Sequence, residues 1–104
     1  MKLFCQGIQE FDNPTDETVS ECLFELPGIE RFAILKIDED HYIQCYFFDE
    51  ESNEFLIEYR DGSEAKHFQL KEFLSLESTI NAFIEYKNGC ISWAKLGNWK
   101  KLEF

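Results

Sequence analysis

The sequence predicts an α+β fold in which an antiparallel meander sheet of about five to six strands carries two packed helices. The chain has 104 residues, a length typical of one domain, so residues 1–104 are treated as a single unit. Two segments place apolar residues at helical spacing, and the runs between them alternate apolar and polar residues. Short turn-like segments separate these runs. Since connections this short join antiparallel neighbours, the strands are predicted to form a meander.

The N-terminal third is predicted to contain one strand and one helix. The strand covers Lys2 to Phe11, and Gly7 within it indicates a bulge. Asp12-Asn13-Pro14 favours a helix start, because an Asx cap and a proline near the first helical position suit it. Residues at i, i+3, i+4 and i+7 then form an apolar stripe: Val19, Cys22, Leu23 and Leu26. Pro27-Gly28 is predicted to end this helix.

Three or four strands are predicted after this helix, each closed by polar residues. In order, they cover Phe32 to Ile37, His41 to Phe48, Glu54 to Arg60 and Lys66 to Leu70. Acidic turns follow the first two strands. Asp61-Gly62 after the third is a strong hairpin signal.

The second helix is predicted from Leu76 to about Asn88. Ser75 is a good N-cap, and Gly89 can take the left-handed conformation that ends a helix. Its apolar stripe consists of Leu76, Ile80, Phe83 and Ile84. After it, Cys90 to Trp93 and Trp99 to Phe104 are predicted to be short strands.

The two-residue period divides the central strands into two faces. One face is apolar and suits the core: Ile43, Cys45, Phe47, Phe55, Ile57 and Tyr59. The other face mixes aromatic, polar and charged residues: Tyr42, Gln44, Tyr46, Phe48, Glu54, Leu56, Glu58 and Arg60. If the helices cover the first face, the second is open, with tyrosines beside carboxylates. Such a composition is typical of a protein-binding patch, and the alternative is an ordinary half-exposed sheet.

Charge indicates the kind of partner. The formal net charge is −11, and it is concentrated in residues 1–58, which hold 15 acidic and 3 basic residues; residues 59–104 hold 6 acidic and 7 basic residues. A chain this acidic repels phosphate backbones and anionic lipid. We therefore expect no nucleic-acid partner and no membrane partner, and a basic protein is the expected one.

The sequence contains few motifs that are typical of an enzyme. His41 and His67 fall in separate strands without metal or nucleophile spacing, and His67 is expected to be a half-exposed strand residue. Phosphate-binding and nucleophile-elbow motifs are absent from the sequence. The acidic runs lack the spacing of an EF-hand, so adventitious calcium binding is the most they suggest. We expect no catalytic residue, no metal, no cofactor and no small-molecule substrate.

The cysteines and the N-terminus indicate a cytoplasmic protein. Four cysteines, Cys5, Cys22, Cys45 and Cys90, lie among apolar neighbours without a C-x-x-C pair. The first residues lack the apolar core of a signal peptide, and no apolar run is long enough to span a membrane. Because disulfides are rare in the cytosol, all four thiols are predicted to be reduced.

A sequence resemblance supplies a more specific hypothesis. The segments Phe55 to Asp61 (FLIEYRD) and Ile80 to Tyr86 (INAFIEY), followed by Gly89, Trp93 and Trp99, resemble the C-terminal pattern of bacterial immunity proteins. These proteins belong to polymorphic-toxin and contact-dependent growth inhibition systems. In one large family of them, a strand ending in tyrosine precedes a polar hairpin, a helix, a glycine and a tryptophan. The match covers about half the chain, and residues 1–30 have no counterpart in the pattern.

The resemblance implies a small cytosolic α+β protein that binds and neutralises one cognate toxin C-terminal domain. A basic nuclease domain is the expected partner, since an acidic inhibitor can cover a phosphate-binding cleft. The candidate contacts come from the acidic turns and the mixed strand face: Asp38, Glu39, Asp40, Tyr42, Tyr46, Asp49, Glu50, Glu51, Glu54 and Glu58. The acidic outer face of the first helix is the second choice. Two alternatives stay open, an acidic adaptor or regulator of another basic protein and a small enzyme with an acidic site.

Overall fold

The computed structural model describes residues 1–5, 9–25, 32–49 and 54–103, with only the backbone of Phe48 and Asp49. Nine strands and α-helices follow one another: β1 (Lys2–Cys5), β2 (Gln9–Asp12), α1 (Asp16–Phe24), β3 (Phe32–Asp38), β4 (His41–Asp49), β5 (Glu54–Asp61), β6 (His67–Leu70), α2 (Leu76–Lys87) and β7 (Trp99–Lys101). Short 3-10 helices cover Glu64–Lys66 and Ser92–Lys95.

The seven strands of the described residues join in one antiparallel sheet with the order β2-β1-β3-β4-β5-β6-β7. Both helices pack on the sheet, and they also contact each other. The predicted α+β fold is therefore confirmed, with slightly more strands than the five to six expected.

The extra strand arises at the N-terminus, where one predicted strand is in fact a hairpin. β1 pairs antiparallel with β2, and Leu3 lies opposite Phe11. The expected bulge at Gly7 lies outside the described residues. At the other end of the chain, the strand predicted for Cys90 to Trp93 is wrong. That segment leads into a 3-10 helix, because Trp93 packs into an aromatic cluster with Tyr59 and Tyr86.

Helix α1 begins later than predicted. Its N-cap is Thr15, whose hydroxyl accepts a hydrogen bond from the Thr18 amide at 3.1 Å. Asn13 has a φ of +48°, a left-handed conformation that asparagine tolerates better than most residues. The predicted stop at Pro27-Gly28 lies outside the described residues.

Helix α2 has the predicted cap and stop. Ser75 accepts a hydrogen bond from the Ser78 amide at 3.1 Å, and Gly89 has a φ of +77°. The buried face is centred on Thr79, Ala82 and Phe83, whereas the other predicted stripe residues are half-buried at its sides. Thr79 can be buried because its hydroxyl donates to the Ser75 carbonyl at 2.7 Å, which satisfies its polar atom inside the helix.

The core lies between the helices and one face of the sheet. Its members from the strands and helices are fully or almost fully buried: Leu3, Cys5, Ala33, Leu35, Ile43, Cys45, Phe47, Phe55, Ile57, Leu70, Val19, Cys22, Leu23, Ala82 and Phe83. Ile43, Cys45 and Phe47 were assigned to this face from their alternation, and the structure confirms it.

The cysteines differ from the prediction. Cys5 of β1 and Cys22 of α1 are paired as a disulfide with their Cα atoms 5.9 Å apart, a usual separation for such a bond. The prediction of four reduced thiols is therefore wrong for this pair. It failed because the packing of α1 on β1 brings together two residues that are 17 positions apart. Cys45 is a buried free thiol, and Cys90 is an exposed one.

Candidate protein-binding face

The sheet face opposite the core presents three rows of side chains. Directly paired residues on antiparallel strands point to the same side, so the strand register defines these rows. They are Phe32-Tyr46-Leu56, then Ile34-Gln44-Glu58-Gln69, then Lys36-Tyr42-Arg60-His67. We call these eleven residues the open face. The division of β4 and β5 into two faces was predicted from the sequence and is confirmed.

One row of the open face is an apolar patch. Phe32, Tyr46 and Leu56 lie side by side across three strands, and the Phe32 and Tyr46 ring centroids are 6.2 Å apart. Tyr46 is the most accessible member, with 40% of its surface exposed. Aromatic side chains that are half accessible and flanked by polar groups are enriched where proteins bind one another.

A buried polar network lies beside this patch, and its centre is His67. The Nε2 atom of His67 is 2.8 Å from Oε1 of Glu58, and the Nδ1 atom accepts a hydrogen bond from Arg60 Nε at 3.1 Å. The Tyr42 hydroxyl is 3.4 Å from the same Nδ1 atom. Gln44 Nε2 donates to Glu58 Oε1 at 3.4 Å.

The geometry assigns the tautomer of His67. Arg60 Nε can only donate, so Nδ1 of His67 must be the acceptor and the ring proton lies on Nε2. That proton is then donated to the Glu58 carboxylate. His67 is only 2% exposed, so the expectation of a half-exposed strand residue is wrong. The Asp61-Gly62 signal does not locate this residue, because six residues, including the 3-10 helix Glu64–Lys66, separate the paired Arg60 and His67.

The acids of the β3–β4 turn are partly compensated by neighbouring bases. Glu39 pairs with Lys36 at 2.9 Å, and Asp40 lies 3.7 Å from Arg60 Nη1. Asp38 accepts a hydrogen bond from His41 Nδ1 at 2.9 Å. This bond lowers the pKa of Asp38, and it raises the pKa of His41 above its ordinary value. The turn is exposed, so these pairs reduce its net negative charge, and its carboxylates stay accessible.

One further predicted acid, Glu54, lies at the far end of the open face. Glu54 begins β5 opposite Asp49, the last residue of β4, while Glu50 and Glu51 are outside the described residues, as is the side chain of Asp49. Eight residue steps along β4 separate His41 from Asp49, a distance of about 26 Å. Among the described contact acids, those of the β3–β4 turn therefore lie at one end of the strand that carries the two tyrosines, and Glu54 lies at the other.

Two predicted contact residues belong to the polar network. Glu58 has a side chain only 12% exposed, and Tyr42 lies with its ring 5.6 Å from the Arg60 guanidinium carbon. Both side chains are therefore engaged within the protein. Tyr46 is the predicted aromatic anchor that projects from the face.

The structure adds two observations on other classes of site. Among the described residues, no group of three or more His, Cys, Asp or Glu side chains is arranged to hold a metal ion. No helix in the described part of the chain is long and apolar enough to cross a membrane.

The chain matches no family model, no curated protein and no solved structure in the comparisons made with each.

Proposed function

We propose that this protein binds and neutralises a basic toxin domain, of the nuclease type, through its open face, and that it does so in the cytoplasm as an immunity protein. The observation that carries the proposal is the position of Tyr46, an accessible aromatic side chain next to Phe32 and Leu56, on a strand that follows the acidic β3–β4 turn and ends opposite Glu54. Such a surface offers an apolar anchor together with a negative rim, which suits a partner that evolved to bind a polyanion.

The charge distribution supports a basic partner. Residues 1–58 contain all the predicted contact acids and 15 of the 21 acidic residues of the chain. Opposite fields on two proteins raise the association rate toward roughly 10⁸–10⁹ M⁻¹s⁻¹ at low salt. An inhibitor that must act before its toxin damages the cell benefits from this speed.

The polar network supports binding rather than catalysis. Both ring nitrogens of His67 are engaged by Glu58 and Arg60, and the ring is buried. A general base needs a nitrogen that can reach a substrate. This histidine instead fixes the side chains of β5 and β6, so that the open face is a preorganised surface.

Co-expression with the product of the adjacent reading frame, which the proposal expects to be a toxin domain, tests it. The tagged protein is expected to co-purify with that domain and to protect cells that produce it. Tyr46→Ala should weaken both effects, whereas Phe24→Ala, which removes an aromatic side chain 70% exposed on α1, should weaken neither. Failure of the wild-type chain to bind any neighbouring gene product would overturn the immunity function. Binding to a different basic protein would support the adaptor alternative instead.

A further inference from the structure

A concave site lies beside the open face, with which it shares one residue, Arg60. It is formed where the end of β5 meets the last turn of α2 and the 3-10 helix Ser92–Lys95. The pocket has a volume of about 270 Å³, and it is lined by Tyr59, Arg60, Asp61, Tyr86, Ile91, Trp93 and Ala94. This is slightly below the usual size of a small-molecule site, and it suits a single inserted side chain.

The walls of this pocket are aromatic and held in place. The Tyr59 and Trp93 rings are 4.8 Å apart between centroids at an interplanar angle of 80°, and the Tyr86 and Trp93 rings are 5.4 Å apart at 60°. Tyr59 is stacked on Phe68 behind it. Ile91 is 71% exposed at the same pocket. An apolar side chain this accessible, next to fixed aromatic rings, provides a surface for the methylene stem of an incoming side chain.

The pocket is lined by one acidic and one basic residue, Asp61 and Arg60. Asp61 lines it directly, and its charge acts on both phenol groups. Burial raises the pKa of Tyr86 to about 12, and the carboxylates of Asp61 and Asp38 add to this rise. Burial and Asp61 likewise raise the pKa of Tyr59. The one cation among the lining residues, Arg60, faces Asp40 and His67 with its guanidinium. Its charge is therefore partly compensated by Asp40 of the β3–β4 turn.

We propose that this pocket receives an arginine side chain of the basic partner, a proposal that rests on the proposed function for the identity of that partner. The guanidinium would stack on the aromatic walls and pair with the Asp61 carboxylate, while its stem contacts Ile91. Guanidinium groups are attracted to aromatic faces, and they bind carboxylates through two parallel hydrogen bonds. Asp61 ends β5 and Asp38 ends β3, so both carboxylates lie at the same end of the sheet. The acidic residues at this end therefore adjoin both the pocket and the open face.

The test uses a small probe in place of the partner, so that it does not depend on finding a toxin. Isotope-labelled protein is titrated with N-acetyl-arginine amide at low salt, and the indole N–H resonance of Trp93 is followed by NMR. N-acetyl-norleucine amide, which has an apolar stem and no charge, is the matched control ligand. We expect the arginine probe to shift the resonance saturably at millimolar concentrations. The norleucine probe should bind with an affinity at least tenfold lower.

Two variants and one control variant locate the site. Ile91→Lys places a like charge at the pocket and should weaken the arginine probe about tenfold, and Asp61→Asn should weaken it about fivefold. Phe24→Lys is the control, because Phe24 is 70% exposed, as Ile91 is 71% exposed, and lies outside the pocket on α1. It should leave binding unchanged. If Ile91→Lys does not fold, Asp61→Asn alone decides the result, since Asp61 is an exposed residue.

Three results would overturn the proposal. They are an unmoved Trp93 resonance, equal affinity for the norleucine probe, and equal weakening by Phe24→Lys. Each of them leaves the immunity function untouched, because the toxin takes no part in the experiment. Conversely, if this protein binds the arginine probe but no toxin partner is found for it, the pocket is supported as an arginine site and only the proposed function is overturned.

Discussion

Glu58 and His67 are joined by a 2.8 Å hydrogen bond between Oε1 and Nε2 on the sheet face opposite the core. Their side chains are only 12% and 3% exposed, although they lie on the face that the sequence predicts to be open. A buried polar pair of this kind is costly to break, because the remaining partner keeps its desolvation penalty. The pair therefore fixes β5 against β6 next to the proposed anchor, Tyr46.

Glu58→Ala is expected to lower the free energy of unfolding by about 1–3 kcal/mol, because it leaves Nε2 of His67 without its acceptor. Urea unfolding followed by circular dichroism measures the change. Glu54→Ala is the matched control, since Glu54 is a carboxylate of the same strand outside the network, and it should change stability by less than about 0.5 kcal/mol. Equal effects from the two substitutions would show that the network adds nothing to stability.

Tyr46→Ala is expected to shorten the lifetime of the complex with the proposed toxin domain, at a cost of about 2 kcal/mol if Tyr46 is a hot spot.

Reversing Glu50, Glu51 and Glu54 to lysine should instead slow association and reduce its dependence on salt, because rim charges act mainly on the association rate. Surface-bound kinetics at two salt concentrations separate these effects. Unchanged rates in both variants would move the interface to another surface, the acidic outer face of α1 being the next candidate.

The Asp38–His41 pair predicts a defined dependence on pH. The folded state raises the pKa of His41, first through its hydrogen bond to Asp38 and further through the charges of Asp61 and Asp40. A raised pKa means that the contribution of His41 to stability is present below about pH 6.5 and is lost as the pH rises through the folded pKa. For Asp38, whose pKa is lowered, the contribution is present above its ordinary pKa and is lost as the pH falls through the folded value.

Asp38→Asn should therefore bring the pKa of His41 down toward its ordinary value. An NMR titration of the His41 ring protons measures it directly. Glu39→Gln is the control, because Glu39 pairs with Lys36 and not with the histidine. A His41 pKa that stays raised in Asp38→Asn would mean that the other carboxylates of this turn dominate.

The cysteines predict a stepwise thiol count. In the native protein, one thiol should react quickly, because Cys90 is exposed while Cys45 is buried with a raised pKa. Denaturant without reductant should reveal two thiols, and reduction should reveal all four. Four thiols in denaturant alone would mean that Cys5 and Cys22 are reduced in the purified protein. That result would agree better with the proposed cytoplasmic location, since disulfides are rare there.

The elements and sheet faces that follow from short-range rules could be predicted without the structure. The cap at Ser75, the left-handed Gly89 and the alternation of β4 and β5 each depend on residues only a few positions apart. Their physical causes are local as well: an orphan amide needs an acceptor, a positive φ suits glycine, and successive strand side chains point to opposite sides. For this reason the fold class and the two sheet faces were predicted correctly.

Contacts between residues that are far apart in the chain could not be predicted in this way. Cys5 finds Cys22 because α1 packs on β1, and Tyr59 meets Trp93 because α2 returns the chain to the edge of the sheet. The burial of His67 depends on the same long-range register, which surrounds its ring with side chains of β4 and β5. Local sequence patterns do not predict which distant residues become neighbours. Pairing and packing between elements are set by the best combined burial of the whole core.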